Sequence, residues 1–218
     1  MPRHDPSEKT KSEILLTAVR LFRERGWENV NIEDVVKEVG VTRGAFYHYF
    51  KSREELVISA VDQMFYDDNP FTAASKETNL NALEKLRFVF KSNLKMNANN
   101  LEMISEMRKA IENPVIFKSE FYSQINTVAP YIEKLLIEGN QDGSMSVKYP
   151  KQTAEIIALL SGTWLSLDAF QAPYHEFADK ISLLGQLLKD LGVPVLDDAS
   201  KELALKAYEV FQPKPTHL

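Results

Sequence analysis

Apolar residues recur along this chain at spacings of three and four, and no stretch shows the strict two-residue alternation of a half-buried strand. The pattern predicts an all-α protein. Ile14, Leu15, Ala18, Val19 and Phe22 mark a first helix, opened by a Thr10–Glu13 capping box and closed at Gly26. Val35, Val36 and Val39 form the apolar side of a short second helix. Asn31 is its N-cap, and Gly40 stands where a glycine lets the chain reverse. Thr42 caps a third helix. Ser52 with Glu55 three residues on is a capping box for a fourth, which carries Leu56, Ala60, Val61, Met64 and Phe65 and stops near Asn69-Pro70. Three helix starts therefore fall between Val30 and Leu56, and the fourth helix is the connection to the rest of the chain.

Further on, Leu83, Leu86, Phe90 and Leu94 share one face, and Leu101, Ile104, Met107 and Ile111 share the next, closed by Asn113-Pro114. A long helix is expected to follow, with Phe117, Phe121, Ile125, Val128, Ile132 and Leu136 as its stripe and a kink at Pro130. After a loop around Asp142-Gly143, the segment from Gln152 to Phe170 places Ala154, Ala158, Gly162 and Ser166 at i, i+4 spacing, a ridge of small residues that allows close helix approach. The helix from His175 to Leu191 carries Phe177, Ile181, Leu184, Leu187, Leu188 and Leu191, enough apolar surface to need cover on more than one side. These two helices are the expected interface of a homodimer, two from each chain forming a four-helix bundle. Ala199 to Phe211 makes a last helix.

The second and third helices form a helix-turn-helix. Such a unit presents the first residues of its second helix to base edges while the first crosses the backbone. Here those residues are Thr42, Arg43, Gly44 and Ala45. Arg43 is suited to a bidentate contact with guanine, and Thr42 to a phosphate or a thymine methyl. The stretch GVTRGAFYHYFKSREEL resembles the DNA-binding signature of the TetR (tetracycline repressor) family of bacterial transcriptional regulators. The resemblance covers residues 10 to 60 and includes ILLTAVRLFRERGWENV, with its Gly26-Trp27 pair. Two positions depart from the family pattern: Val30 replaces a frequent threonine, removing a phosphate contact while Asn31 still caps, and Val35-Val36 replaces an isoleucine-alanine pair.

The resemblance implies that Tyr47, Lys51 and Arg53 meet phosphates and that His48 and Tyr49 point at the backbone or pack. Phe46 and Phe50 belong to the core. It further implies a helix-turn-helix domain over residues 1–53 and a ligand-binding and dimerisation domain over 54–218. An inducer cavity would lie among the helices of the latter. Met64, Phe65, Phe88, Met103, Met107, Phe117, Phe121, Tyr122 and Trp164 supply aromatic and thioether surface for it, and Arg108, Asn126 and Asp168 are the polar groups that would orient a ligand. The expected protein is a repressor released from palindromic, double-stranded operator DNA by a small, largely apolar effector, with no cofactor. A ligand-independent or activating regulator of the same fold, or a small all-α enzyme, are the alternatives.

Composition sharpens this in three places. The 218 residues, 44% hydrophobic and 26% charged, suffice for a small domain plus a larger one. A net charge of −5 argues against nucleic acid only if evenly spread, and residues 1–53 hold ten Lys/Arg against eight Asp/Glu, so the acidic excess lies beyond them. With no cysteine, no apolar leader in MPRHDPSEKTKSE and no apolar run long enough to span a bilayer, a cytoplasmic location is expected. The enzyme alternative finds little: His4, His48, His175 and His217 lack metal-ligand spacing, no GxSxG or HExxH occurs, and Glu102, Glu106, Glu155 and Asp168 read better as solvated helix faces than as an acid–base pair.

Overall fold

The computed structural model describes residues 6–67, 69–99, 111–165 and 172–211, and every regular element among them is helical. The all-α expectation holds. Two compact units result, one reaching to Asn69 and taking in the segment that ends at Glu120, the other formed by the chain from Pro70 into the following helices and from Phe121 onward.

The first unit contains α1 (Pro6–Arg25), a 3₁₀ turn (Trp27–Asn29), α2 (Ile32–Val39), α3 (Arg43–Tyr49) and α4 (Arg53–Asp67). α1 starts a turn before the expected Thr10 cap, because Pro6 suits a first helical turn, where its missing N–H has no partner to lose. Ile14, Ala18, Leu21, Val35, Phe46, Phe50 and Leu56 form a core that is essentially sealed from solvent. α4, grouped by the sequence with the second domain, packs into this core through Leu56, Val57 and Ala60. So does Ile116 of α7 (Pro114–Ser123), whose last residues belong to the second unit. The fourth helix therefore leads to one passage of the chain between the units, and the helix at 114–123 carries another.

The second unit comprises α5 (Pro70–Ser75), α6 (Ala82–Asn99), the end of α7, α8 (Ala129–Asp142), α9 (Pro150–Leu159), α10 (Tyr174–Asp190) and α11 (Asp198–Phe211). The long helix expected from Phe117 to Leu136 is broken by a π-helical turn over Gln124–Val128, immediately before Pro130, which sits in the first turn of α8. A π turn inserts one residue into the helical register. Ile132 and Leu136 are buried as expected, but upstream the inward positions fall at Gln124 and Ile116, and Phe117 and Phe121 turn outward. A second π turn, Leu160–Trp164, ends α9.

The small-residue ridge is used inside the protomer. Ala154 and Ala158 are fully buried, and a Cβ at Gly162 would collide with the carboxamide of Gln124, so the ridge seats α9 and its π turn against the first π turn. On α10, Phe177, Ile181, Leu184 and Leu188 face the protomer's own core, with Phe177 stacked on Tyr208 of α11 at 4.4 Å. What remains outward is Leu183, 62% exposed, with Leu187, Tyr174 and, on α9, Ile156. No helix among the described residues is long and apolar enough to cross a membrane.

Candidate functional site

The helix-turn-helix is built from local hydrogen bonds that its sequence requires. The Asp34 N–H donates to Asn31 Oδ1 and the Asn31 N–H to Asp34 Oδ2, both at 2.9 Å, so α2 opens on a reciprocal box. Gly40, at φ +79°, lets the chain turn, and the Gly40 and Val41 N–H groups both reach back to the Val36 carbonyl. α3 then starts on Thr42, whose Oγ1 accepts from the Ala45 N–H at 3.1 Å. Ser52 accepts from the Glu55 N–H at 3.2 Å, while the Glu55 carboxylate reaches back to the N–H of Lys51 at 2.7 Å. Arg20 braces α1 to α2 through Glu38 at 2.5 Å, and also meets Glu24 on its own helix.

Phe46 and Phe50 point into the core, their rings 5.7 Å apart, which fixes the rotation of α3 about its axis. The opposite face is open. Thr42, Arg43, Gly44, Tyr47 and His48 are exposed along α3, as are Asn31 before α2 and Lys51 after α3; Ala45 and Tyr49 are half-buried. A Cβ added at Gly44 would meet nothing closer than Thr42 Oγ1 at 3.9 Å. Among the described residues no packing demands a glycine there, although glycine weakens a helix by ~1 kcal/mol relative to alanine. What it permits is close approach of another body to the backbone of α3.

Arg43 lies over the ring of Tyr47, 5.8 Å from its centroid, and Nη1 is 2.8 Å from Glu33 Oε1. Tyr47 first and Glu33 second push the guanidinium's pKa above its ordinary value, so it is charged at any working pH. Glu33 did not enter the sequence reading, since an acid ten residues upstream of an arginine carries no signal until the turn folds them together. Arg53 departs from expectation. Rather than facing outward with Lys51, it donates from Nε to the Val30 carbonyl at 3.0 Å and from Nη2 to the Trp27 carbonyl, and it stacks on Trp27 at 4.7 Å. Burial pulls its pKa down from the usual arginine value. It clasps the α1–α2 turn to α4, a positioning role for a residue expected at phosphates.

The residues expected around a ligand are placed less uniformly. Phe88 is half-buried on α6. Phe117, Phe121 and Tyr122 are exposed along α7, the last two edge to face at 6.2 Å. Asn126 and Trp164 lie in the two π turns, Asn126 exposed and Trp164 half-buried with Lys180 Nζ 5.6 Å from its ring centroid. Those turns meet where Gln124, buried though polar, lies against Gly162. Gln124 was missed because the uninterrupted helical period assigns the inward position to Ile125. Met103, Met107, Arg108 and Asp168 lie outside the described residues, as do the side chains of Met64 and Phe65. Among the described residues no three His, Asp or Glu are grouped as a metal site.

Comparison with known proteins falls on both units. Residues 14–60 match the family described as bacterial regulatory proteins, tetR family, and residues 95–186 match the tetracyclin repressor-like C-terminal domain. Over 65 residues the chain is 35% identical to the HTH-type transcriptional regulator YuxN of Bacillus subtilis, a match spanning 29% of this chain and 22% of that protein. A longer likeness, 20% identity over 187 residues, covers 82% of this chain and 99% of IcaR of Staphylococcus epidermidis, the negative transcriptional regulator of the biofilm operon icaADBC. Among solved structures, RolR in complex with resorcinol shares the fold with a TM-score of 0.60 at 18% identity, over 91% of this chain and 94% of that one.

Proposed function

Since the chain belongs to the TetR family of bacterial regulators, and is thus a DNA-binding transcription factor and not an enzyme, we propose that it is a homodimeric repressor. In this reading it holds a palindromic operator and is released from it by a small, largely apolar effector. The observation that carries the DNA half is the open face of α3, where Arg43, Tyr47 and a glycine that no packing among the described residues requires stand together. Arg43 reads a guanine, Thr42 and Tyr47 meet phosphates or a thymine methyl, and Lys51 adds a sequence-independent charge. His48 and Asn31 flank that face, and Ala45 and Tyr49 border it.

Dimerisation falls to the outward faces of α9 and α10, with Leu183, Leu187, Tyr174 and Ile156 as the contacts, because these are apolar and face away from the protomer's core. A two-fold dimer sets two recognition helices about one turn of DNA, or a multiple of it, apart. Repression is supported by the negative regulation named for IcaR, and a small aromatic effector by the resorcinol bound to RolR.

We set the effector site among the helices after α4, centred on the two π turns, which bring Gln124 against Gly162 and carry Asn126 and Trp164. Such turns are adjustable in register and concentrate at functional sites. α7 joins the first π turn directly and also contributes Ile116 to the core beneath the helix-turn-helix, so a ligand that resets the turn acts on a helix shared by both units. To swing the population from 1:99 to 99:1 a ligand needs a preference of about 10⁴-fold for the DNA-incompetent state, and DNA must weaken the ligand by the same factor as the ligand weakens DNA binding. A fluorescence anisotropy titration of operator DNA with apolar aromatic compounds tests this, with Trp164→Ala as the control. Release in the wild type, blunted by the substitution without loss of basal DNA affinity, is expected; an effector that binds and leaves DNA affinity unchanged overturns it.

A further inference from the structure

Glu33 lies in the first turn of α2, beside the Asn31–Asp34 box that fixes that turn, and its carboxylate holds Nη1 of Arg43 at 2.8 Å. Both side chains are more than half exposed, on the face that carries Thr42, Gly44 and Tyr47. An acid is out of place there if the face simply attracts DNA, since a carboxylate is repelled by phosphates and weakens the pull of the cation it shares. It makes sense if the face must discriminate. Non-specific binding is made of phosphate contacts, each neutralised phosphate releasing counterions, whereas sequence is read by forked contacts such as arginine to the O6 and N7 of guanine. A long, unrestrained arginine at the start of a helix satisfies either.

Resting on the reading that α3 enters DNA, we propose that Glu33 is a specificity-determining residue that withholds Arg43 from phosphates and positions it for a base edge. The restraint has two sides. Glu33, anchored by the capped turn of α2, takes Nη1, and the ring of Tyr47 lies under the guanidinium 5.8 Å away. The contact occupies one end of the fork, so Arg43 remains able to face a base with the rest while a wandering phosphate contact requires Glu33 to be displaced. Unmatched DNA offers no base partner to compensate for that displacement.

The test uses E33Q, which keeps the shape and removes the charge, alone and combined with R43A. Affinities are measured by anisotropy across a salt series, on a duplex selected from random sequence by the wild-type protein and on a scrambled duplex of equal length. E33Q is expected to tighten binding to the scrambled duplex by about five-fold more than to the selected one, and to steepen its log K against log salt slope by about 0.9 per protomer as Arg43 gains a phosphate. In the R43A background the same change leaves the slope where R43A alone put it. A specificity ratio that E33Q does not move, a steepening that persists without Arg43, or equal weakening on both duplexes with a lowered melting temperature overturns the proposal. If the wild type binds neither duplex even at low salt, the reading of α3 as a DNA-entering helix fails with it; binding with an unmoved ratio removes the role of Glu33 alone.

Discussion

The helix starts of the first unit are tied within the turn that begins them, whereas the second unit ties its helices across long stretches of chain. Asn31 with Asp34, Thr42 with Ala45 and Ser52 with Glu55 are all contacts over three residues. α6 has such a box too, Asn81 with Glu84, but it also donates the Ala82 N–H to Asp142, 60 residues on, at 2.8 Å, and the Leu83 N–H to Ser144 at 3.3 Å. Further along α6, Arg87 reaches the carbonyls of Pro194 and Val195, and Lys85 pairs with Glu138 of α8 at 2.5 Å. Outward surfaces differ in the same way. The first unit shows polar and cationic groups on α3, and the second shows Leu183, Leu187, Tyr174 and Ile156. A reading head needs fixed geometry obtained locally, and under the proposed function the second unit, pairing with a second copy and responding to a ligand, needs elements joined over distance, so that a change in one is passed to others.

The sharpest way to break this comparison is to place a charge on either side of α9 and α10. Ala158→Glu buries an unpaired carboxylate in a fully sealed position and is expected to abolish folding of the second unit. Leu183→Glu, on the outward face of α10, is expected to leave circular dichroism and melting intact while sedimentation shows monomers that have lost operator affinity. A dimer that survives Leu183→Glu and Leu187→Glu together places the interface elsewhere.

Next in size is Phe46→Ala. This ring is completely buried under α3, and its loss should cost ~3–5 kcal/mol in the first unit. DNA binding disappears, and calorimetry should resolve an early transition for the first unit with the second still folded and dimeric. One cooperative transition shifted as a whole would show that the units do not melt separately.

A smaller contrast separates two neighbouring cations. Arg53→Ala removes the clasp on the Trp27 and Val30 carbonyls, and charged hydrogen bonds of this kind contribute ~1.5–3 kcal/mol, so the melting temperature falls while the salt slope of DNA binding is retained. Lys51→Ala should do the reverse, weakening all sequences alike and lowering the slope by about 1 at unchanged stability.

The smallest effect concerns acid. Hydrogen bonds from Ser144 and from the Ala82 N–H hold the Asp142 carboxyl below its ordinary pKa. The carboxyl is easier to ionise in the folded state, so its stabilising contribution is complete above the unfolded value of about 3.9 and is lost as pH falls through the depressed folded one. Asp142→Ala should lower the stability of the second unit at neutral pH and flatten its decline below about pH 4. Denaturant melts across pH measure this, and an unchanged acid limb removes Asp142 from the account.

The same contrast explains which features the sequence made legible. Caps and glycine turns act within four residues, so α2, α3 and the start of α4 could be placed from the chain alone, and the burial of Phe46 and Phe50 followed from their spacing. The last helix was placed within a residue of its observed start at Asp198. The π turn at Gln124–Val128 has no signature beyond the nearby proline, and by shifting the register it exchanged Ile125 for Gln124 and turned Phe117 and Phe121 outward. The inward use of Ala154 and Ala158 was invisible for a related reason: a small-residue ridge announces close packing but not the partner. Arg53 was misdirected because the carbonyls it holds lie 23 and 26 residues away. Glu33 was passed over because its pairing with Arg43 exists only once the turn at Gly40 is made.

The central claim, that the open face of α3 reads DNA in a two-fold dimer, is tested most directly by selecting sites from random duplex DNA and footprinting the selected sequences with wild type and Arg43→Ala. The account predicts protection with two-fold symmetry, half-sites about one helical turn or a multiple of it apart, and loss of preference at one base pair of each half-site in the variant, on the order of 1–3 kcal/mol. A protected site without symmetry, or an Arg43→Ala protein that selects the same sequence as the wild type, would contradict it.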